Sequence, residues 1–253
     1  MNEQRKLPHT FGLKDVFTCI NLMGGVLAVI FCIGGRVDWA AYAFLGGYVL
    51  GDALDGVVAR LTNTSNQFGG EFDSISDHMA QCVAPAVIVY VVYAGICPYL
   101  AGTLASMLII TGSIRHARAA TVPVHFPGAY MGLPRTISSF LIISFINSGL
   151  LIKVPGGMWI GVAIVVLVSV MHLAPLPFRT HKSGQKFYEK MLALGFFSMT
   201  ILAFIFTRPY TFDVAFTWIL IYSMFSWLAL EPHERRAFFA RAREWSLQVR
   251  GAR

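Results

Sequence analysis

The sequence predicts an all-α polytopic membrane protein, with eight apolar helices of which the last two are an appendix to a six-helix core. Three observations carry this reading. Of the 253 residues, 56% are hydrophobic and only 13% charged, whereas a soluble domain carries about 25% charged residues. Apolar runs recur at roughly the 20 residues that a bilayer demands of a helix. All but three of the 20 Lys and Arg then fall on one side of the resulting serpentine.

The segments run at 16–34, 39–60, 73–95, 97–119, 135–152, 157–175, 190–207 and 213–230. They are read as helices because backbone groups in lipid must find their partners within the segment. A barrel would alternate apolar and polar residues, and no alternation is present. The first segment carries Thr18 and Asn21 one turn apart. The fourth ends in Arg115, His116 and Arg118, the fifth opens at Arg135, and the sixth stops near Pro175 and Pro177. The last two are rich in aromatics, Trp218 and Trp227 among them. A basic tail follows, from His233 to Arg253, and it reads either as a helix on the anionic leaflet or as a solvated one. The expected division is a core at 1–180 and, at 181–253, two additional helices with the tail.

An even number of spans places both termini on one side. Only Arg36, Lys153 and Arg208 lie on the other, so the positive-inside rule puts both termini in the cytoplasm. The net charge of +7 is therefore read as a topology signal, with no nucleic-acid partner. Cys19, Cys32, Cys82 and Cys97 form no C-x-x-C pair and are expected to be packed free thiols. The first fifteen residues are polar, and no cleavable signal peptide is expected.

Four aspartates break the apolar pattern: Asp52, Asp55, Asp73 and Asp77. A charge at membrane depth costs about 2.5–3.5 kcal/mol on insertion scales, so each points to function. Asp52 and Asp55 are three apart, and Asp73 and Asp77 four apart, so each pair shares a helix face. A short cytoplasmic connection joins the two helices, and both faces can meet in one pocket. Four carboxylates cannot all stay ionised together without a counter-charge. Hard divalent cations bound by oxygen supply it, and magnesium also binds substrate phosphates. Gly47 and Gly51 permit close helix packing. Gly56 leaves room for a ligand at the backbone, Gly69 is read in the turn before Asp73, and Arg60 can meet a phosphate.

Residues 52–77 read D-A-L-D-G-V-V-A-R, eight residues, then G-G-E-F-D-S-I-S-D. This string resembles the signature of the CDP-alcohol phosphotransferase family, D-x2-D-G-x2-A-R-x8-G-x3-D-x3-D, at every fixed position. The resemblance implies a six-helix core, commonly dimeric, with CDP linked to a lipid or small alcohol as substrate. It implies that Asp52, Asp55 and Asp73 hold one or two divalent ions, Mg2+ or Mn2+, with Asp77 as general base beside them and in reach of the same ions. Gly56 and Ala59 would make room for the cytidine nucleotide, with Arg60 and Gly69 lining the CDP-lipid site.

Flanking stretches resemble the phosphatidylserine synthases of that family. They are T-C-I-N-L-M-G-G-V-L-A at 18–28, V-A-P-A at 83–86, G-L-P-R at 132–135 and, loosely, V-S-V-M-H-L-A-P-L-P-F-R at 168–179. This likeness implies CDP-diacylglycerol and L-serine as substrates, and a homodimer in the cytoplasmic membrane. There are departures. Gln81 and Cys82 stand where Phe-Gly is usual, Arg135 replaces a proline, and Met171 and His172 are unusual. They leave other acceptors open: glycerol 3-phosphate, inositol phosphate or choline.

Thr18 and Asn21 read either as helix-bridging residues or as contacts to the nucleotide. Arg115, Arg118, Arg135 and Arg179 read either as interfacial charges or as an anion site for a substrate phosphate or the serine carboxylate. A cation transporter also uses intramembrane carboxylates, but no internal repeat is visible, and the aspartates cluster in the cytoplasmic half of two adjacent helices, which favours the enzyme.

Overall fold

A computed structural model describes residues 11–52, 54, 58, 67–121, 129–179, 210–226 and 230–251. The chain forms two compact units, Met1–Ile109 and Ile110–Arg253.

In the first unit, α1 (Leu13–Ile33) starts at Gly12, whose N–H donates to Oδ2 of the buried Asp15 at 2.7 Å. The helix buries Thr18, Asn21, Gly24, Gly25 and Ala28, and exposes Met23, Val26, Ile30 and Ile33. Small and polar residues inside with apolar ones outside is the reverse of a water-soluble helix. Cys19 lies on the outward side and is exposed, unlike the packed thiol expected, whereas Cys32 and Cys82 are buried.

Next, α2 (Val37–Gly47) runs into a π-helical turn, Tyr48–Asp52. Gly47 packs on Gly24 so tightly that a Cβ on either would collide with the other's backbone, and Gly51 lies against the backbone of Asn21. These contacts are the close packing that the glycine spacing predicts. Between Asp52 and Gln67 only Leu54 and Val58 are described, both helical. Asp55, Gly56, Ala59 and Arg60 lie outside the described residues.

The third helix begins at Gln67, earlier than the expected 73. It comprises α3 (Gln67–His78), a second π-helical turn (Met79–Val83) and α4 (Ala84–Ala94). Gly69 is thus buried within α3 and not in a turn. Gln67, Gly69, Gly70, Glu71 and Asp73 interrupt the apolar pattern and hid the start of this helix, because only the apolar part is visible as a span. The π turn has a local cause. Pro85 lacks an N–H and crowds the carbonyl four residues before it, so the ladder widens there. The N–H of Ala84 donates to the carbonyl of Met79, five residues back. The next helix is α5 (Pro98–Thr121), and the thiol of Cys82 lies 3.6 Å from its Leu108 carbonyl.

In the second unit, two stretches that read as connections pair instead as an antiparallel ladder. Strands β1 (Ala129–Met131) and β2 (Pro177–Arg179) align Ala129 with Arg179 and Met131 with Pro177. Three residues are too short for a period-two signal. Gly132, at φ +78°, turns the chain from β1 into α6 (Arg135–Ile146). A Cβ there would lie 2.6 Å from the carbonyl oxygen of His172.

The expected span 135–152 is broken at Asn147 and Ser148, which separate α6 from α7 (Gly149–Lys153). Both side chains hydrogen-bond the helix behind them, Asn147 to the Ile143 carbonyl and Ser148 to that of Phe145, in competition with helix continuation. Helix α8 (Gly157–Leu173) follows. The seventh expected segment, 190–207, lies outside the described residues. Then α9 (Thr211–Phe225) places Asp213 on the N–H of Gly149 at 2.8 Å, capping α7. The tail forms α10 (Pro232–Gly251), whose Phe238 and Ala242 pack with Ala129, Leu230 and Met131.

Two helical stretches, Leu13–Ile33 and Gln67–Ala94, are long and apolar enough to cross a membrane. Arg135–Ile146, Gly157–Leu173 and Thr211–Phe225 are shorter apolar helices, and α5 carries Arg115 and Arg118 in its final turns. The expected helical fold is therefore found, and the spans are matched in part.

Candidate active site

The first unit brings three of the four aspartates together. Asp52 ends the π turn that follows α2, while Asp73 and Asp77 stand one turn apart on α3. One carboxylate oxygen from each lies within 4.8 Å of the others. Such like charges repel strongly at that separation unless a cation or a proton intervenes. All three groups are half-buried.

The donor set fits a hard divalent ion. Three carboxylates offer oxygen ligands only, from two helices, and half-burial leaves room for water or substrate oxygens to complete the coordination. A second observation points the same way. Oδ1 of Asp73 is buried and has no hydrogen-bond partner among the described residues. A buried carboxylate oxygen without a partner is costly, and a bound cation removes that cost.

Asp77 has a different setting. Its Oδ1 accepts two amide hydrogen bonds, from Asn21 Nδ2 at 2.9 Å and from Gln81 Nε2 at 2.8 Å. Helix α1 thus reaches the acidic group through Asn21, whose backbone is seated against Gly51 next to Asp52. Thr18 lies one turn before Asn21, fully buried, with its hydroxyl 3.5 Å from the Lys14 carbonyl. Gln81 stood in the sequence only as a departure from a resemblance. Its i, i+4 relation to Asp77 was the signal that could have marked it.

The arginines belong to the second unit. Arg118 is committed to main chain: its guanidinium donates to the carbonyls of Leu173 at 2.9 Å, His172 at 3.0 Å and Met131 at 3.4 Å. It thereby closes the C-terminal end of α8 and ties it to β1. Arg115 is buried, and its Nε has no partner among the described residues. The like charges of Arg135 and Arg118 are close enough to act on it. Arg179 pairs through its backbone in β2, and its side chain lies outside the described residues. His172 is a bridging residue. Nδ1 shares a hydrogen bond with Thr111 Oγ1 at 3.2 Å, and Nε2 with Ser138 Oγ at 2.9 Å, linking α5, α8 and α6.

Among the described residues, three carboxylates beside apolar helices converge in a group that could hold a divalent cation. The family model for CDP-alcohol phosphatidyltransferase matches residues 12–171, and the chain belongs to that family. A CDP-diacylglycerol–serine O-phosphatidyltransferase of Helicobacter pylori is 26% identical over 220 residues, 85% of this chain and 91% of that protein. One of Methanocaldococcus jannaschii is 32% identical over 142 residues, 55% of this chain and 64% of that protein. An archaetidylserine synthase of Methanothermobacter thermautotrophicus is 27% identical over 180 residues, 70% of this chain and 74% of that protein.

Proposed function

We propose that the protein transfers the phosphatidyl group of CDP-diacylglycerol, or of a related CDP-lipid, to the hydroxyl of serine, releasing CMP in phospholipid synthesis. The carrying observation is the convergence of Asp52, Asp73 and Asp77 in a chain with relatives named as serine O-phosphatidyltransferases. Asp52, Asp73 and, from the signature, Asp55 would hold Mg2+ or Mn2+. Bound there, the ion would supply positive charge to the pyrophosphate and to the departing CMP.

The remaining work falls to side chains. Asp77 takes the proton from the serine hydroxyl as its oxygen attacks the lipid-bearing phosphorus. The new P–O bond to serine forms as the P–O bond to CMP breaks, with no covalent enzyme intermediate. Asn21 and Gln81 hold Asp77 in place. Thr18, Gly56, Ala59, Arg60 and Gly69 line the nucleotide end of the CDP-lipid site. Arg115, with Arg135, offers an anion site of the kind a carboxylate or phosphate takes; its buried Nε, without a partner among the described residues, supports this reading. Arg118 is left out of this assignment because its guanidinium already serves three carbonyls, while Arg179 stays a candidate from its charge alone.

Purified protein should release CMP from CDP-diacylglycerol with labelled serine and manganese, and not with glycerol 3-phosphate, inositol phosphate or choline. Arg115→Ala is expected to raise the KM for serine by about tenfold or more, as expected for a lost hydrogen bond to a charged group, without raising that for CDP-diacylglycerol. Transfer to another acceptor would overturn the serine assignment. Cation transport without CMP release would overturn the enzyme reading.

Both termini are read as cytoplasmic from the distribution of Lys and Arg. Cysteines introduced at Asn2 and Gly251 should be labelled from the cytoplasmic face, and one near Lys153 from the opposite face. Labelling of the two termini from opposite faces would refute an even number of spans.

A further inference from the structure

We infer that Gln81 is a positioning residue, which together with Asn21 clamps Oδ1 of Asp77 and so sets how this carboxylate meets the acceptor hydroxyl. The inference rests on the proposed role of Asp77 as base. It starts from local geometry. Asp77 and Gln81 stand at i and i+4, on one helix face. Gln81 sits inside the π turn Met79–Val83, and its Nε2 reaches Oδ1 of Asp77 at 2.8 Å. Asn21, from α1, donates to the same oxygen at 2.9 Å.

Both amides are 3% exposed. A buried amide is held by its surroundings, and its hydrogen bond is correspondingly directional. The carboxylate torsion of an aspartate is otherwise broad. Two donors from separate helices, ending on one oxygen, remove that freedom. The two helices cannot drift apart in register, because their backbones touch beside the clamp. A Cβ on Gly25 would lie 2.7 Å from the Cα of Ala80, the neighbour of Gln81. The backbone of Asn21 is likewise fitted to Gly51.

An amide neither titrates in the working range nor competes as a strong ligand for a hard cation. What it contributes to Asp77 is orientation. The Gln81 amide comes from within the π turn Met79–Val83.

The test compares Gln81→Leu and Gln81→Met in the wild-type and in the Asp77→Asn background, with purified full-length protein in detergent or nanodiscs. In the wild-type background kcat is expected to fall about tenfold, as for loss of a hydrogen bond to a charged group, while KM for CDP-diacylglycerol and serine stays within about twofold. In the Asp77→Asn background the same substitution should leave the residual kcat unchanged, because residues acting as a unit are not additive. Gln81→His, which keeps an N–H donor, should recover part of the lost kcat. A purely structural role would lower kcat by the same factor in both backgrounds and would overturn the inference, as would wild-type kcat in both variants. Should Gln81→Leu fold poorly, Gln81→Met, unbranched and of the same length, carries the test. If Asp77→Asn itself turns over like wild type, the base assignment fails and the clamp with it. If Asp77→Asn is inactive while Gln81→Met is unimpaired, only the clamp fails.

Discussion

Asp73→Asn is expected to lower turnover by at least about 10³-fold, the equivalent of several kcal/mol of lost charge stabilisation in the transition state, while the protein still inserts in the membrane. The reason lies in the geometry of the three carboxylates. Their oxygens converge within 4.8 Å, and Oδ1 of Asp73 is buried without a partner among the described residues. A cation there satisfies that oxygen and screens the mutual repulsion. Asn keeps the shape and loses the charge. A readout other than activity follows. A ligand that binds only the folded state stabilises it by mass action, so manganese should raise the melting temperature of the wild-type protein above that measured in chelator. Asp73→Asn and Asp52→Asn should lose most of that rise. In chelator neither variant should be less stable than wild type, since each removes one of three clustered negative charges. Full turnover together with an undiminished manganese-induced rise in either variant would remove that residue from the ligand set.

Asp77→Asn is expected to lower kcat by about 10²–10⁴-fold, the usual contribution of a positioned base, with KM for CDP-diacylglycerol little changed. The surroundings of Asp77 make this substitution a clean probe. Asn21 and Gln81 both donate to one oxygen. The carbonyl of an asparagine can accept both bonds in the same place, so the orientation of the side chain survives while its basicity is lost. Much of the manganese-induced rise in melting temperature should therefore persist, in contrast to Asp73→Asn. If the rise disappears and turnover at saturating substrate survives, Asp77 is a ligand and the proton leaves by another route. Isolation of a lipid–phosphoryl enzyme adduct without serine would contradict transfer in one step.

The acidic site was largely legible in the sequence because its parts are expensive where they stand. Charges within apolar segments are costly to insert, so Asp52, Asp73 and Asp77 identify themselves, and helical spacing puts the last two on one face. The helical class was legible for a related reason, since the bilayer permits few alternatives to a satisfied backbone. The four-residue spacing of Gly47 and Gly51 likewise pointed to the close contact with α1 that the structure shows.

Other features had no local signature. The start of α3 at Gln67 lies in a stretch where glycines and polar residues interrupt the apolar run, and the ladder of Ala129–Met131 with Pro177–Arg179 is too short to show a period. The interruption at Asn147 and Ser148 depends on side chains bonding backwards, and the cap supplied to Gly149 comes from Asp213, far along the chain. Arg118 shows the limit most clearly. Its charge suggested an anion site, whereas its guanidinium is used on the carbonyls at the end of α8. Sequence by itself determined the class of protein, its helical character and which aspartates come together, because burying a charge is so costly that its presence is informative. Only tertiary structure decided which amides hold Asp77 and which arginine is committed to main chain, because a hydrogen bond between helices depends on distance and direction, and neither is written in the spacing along one chain.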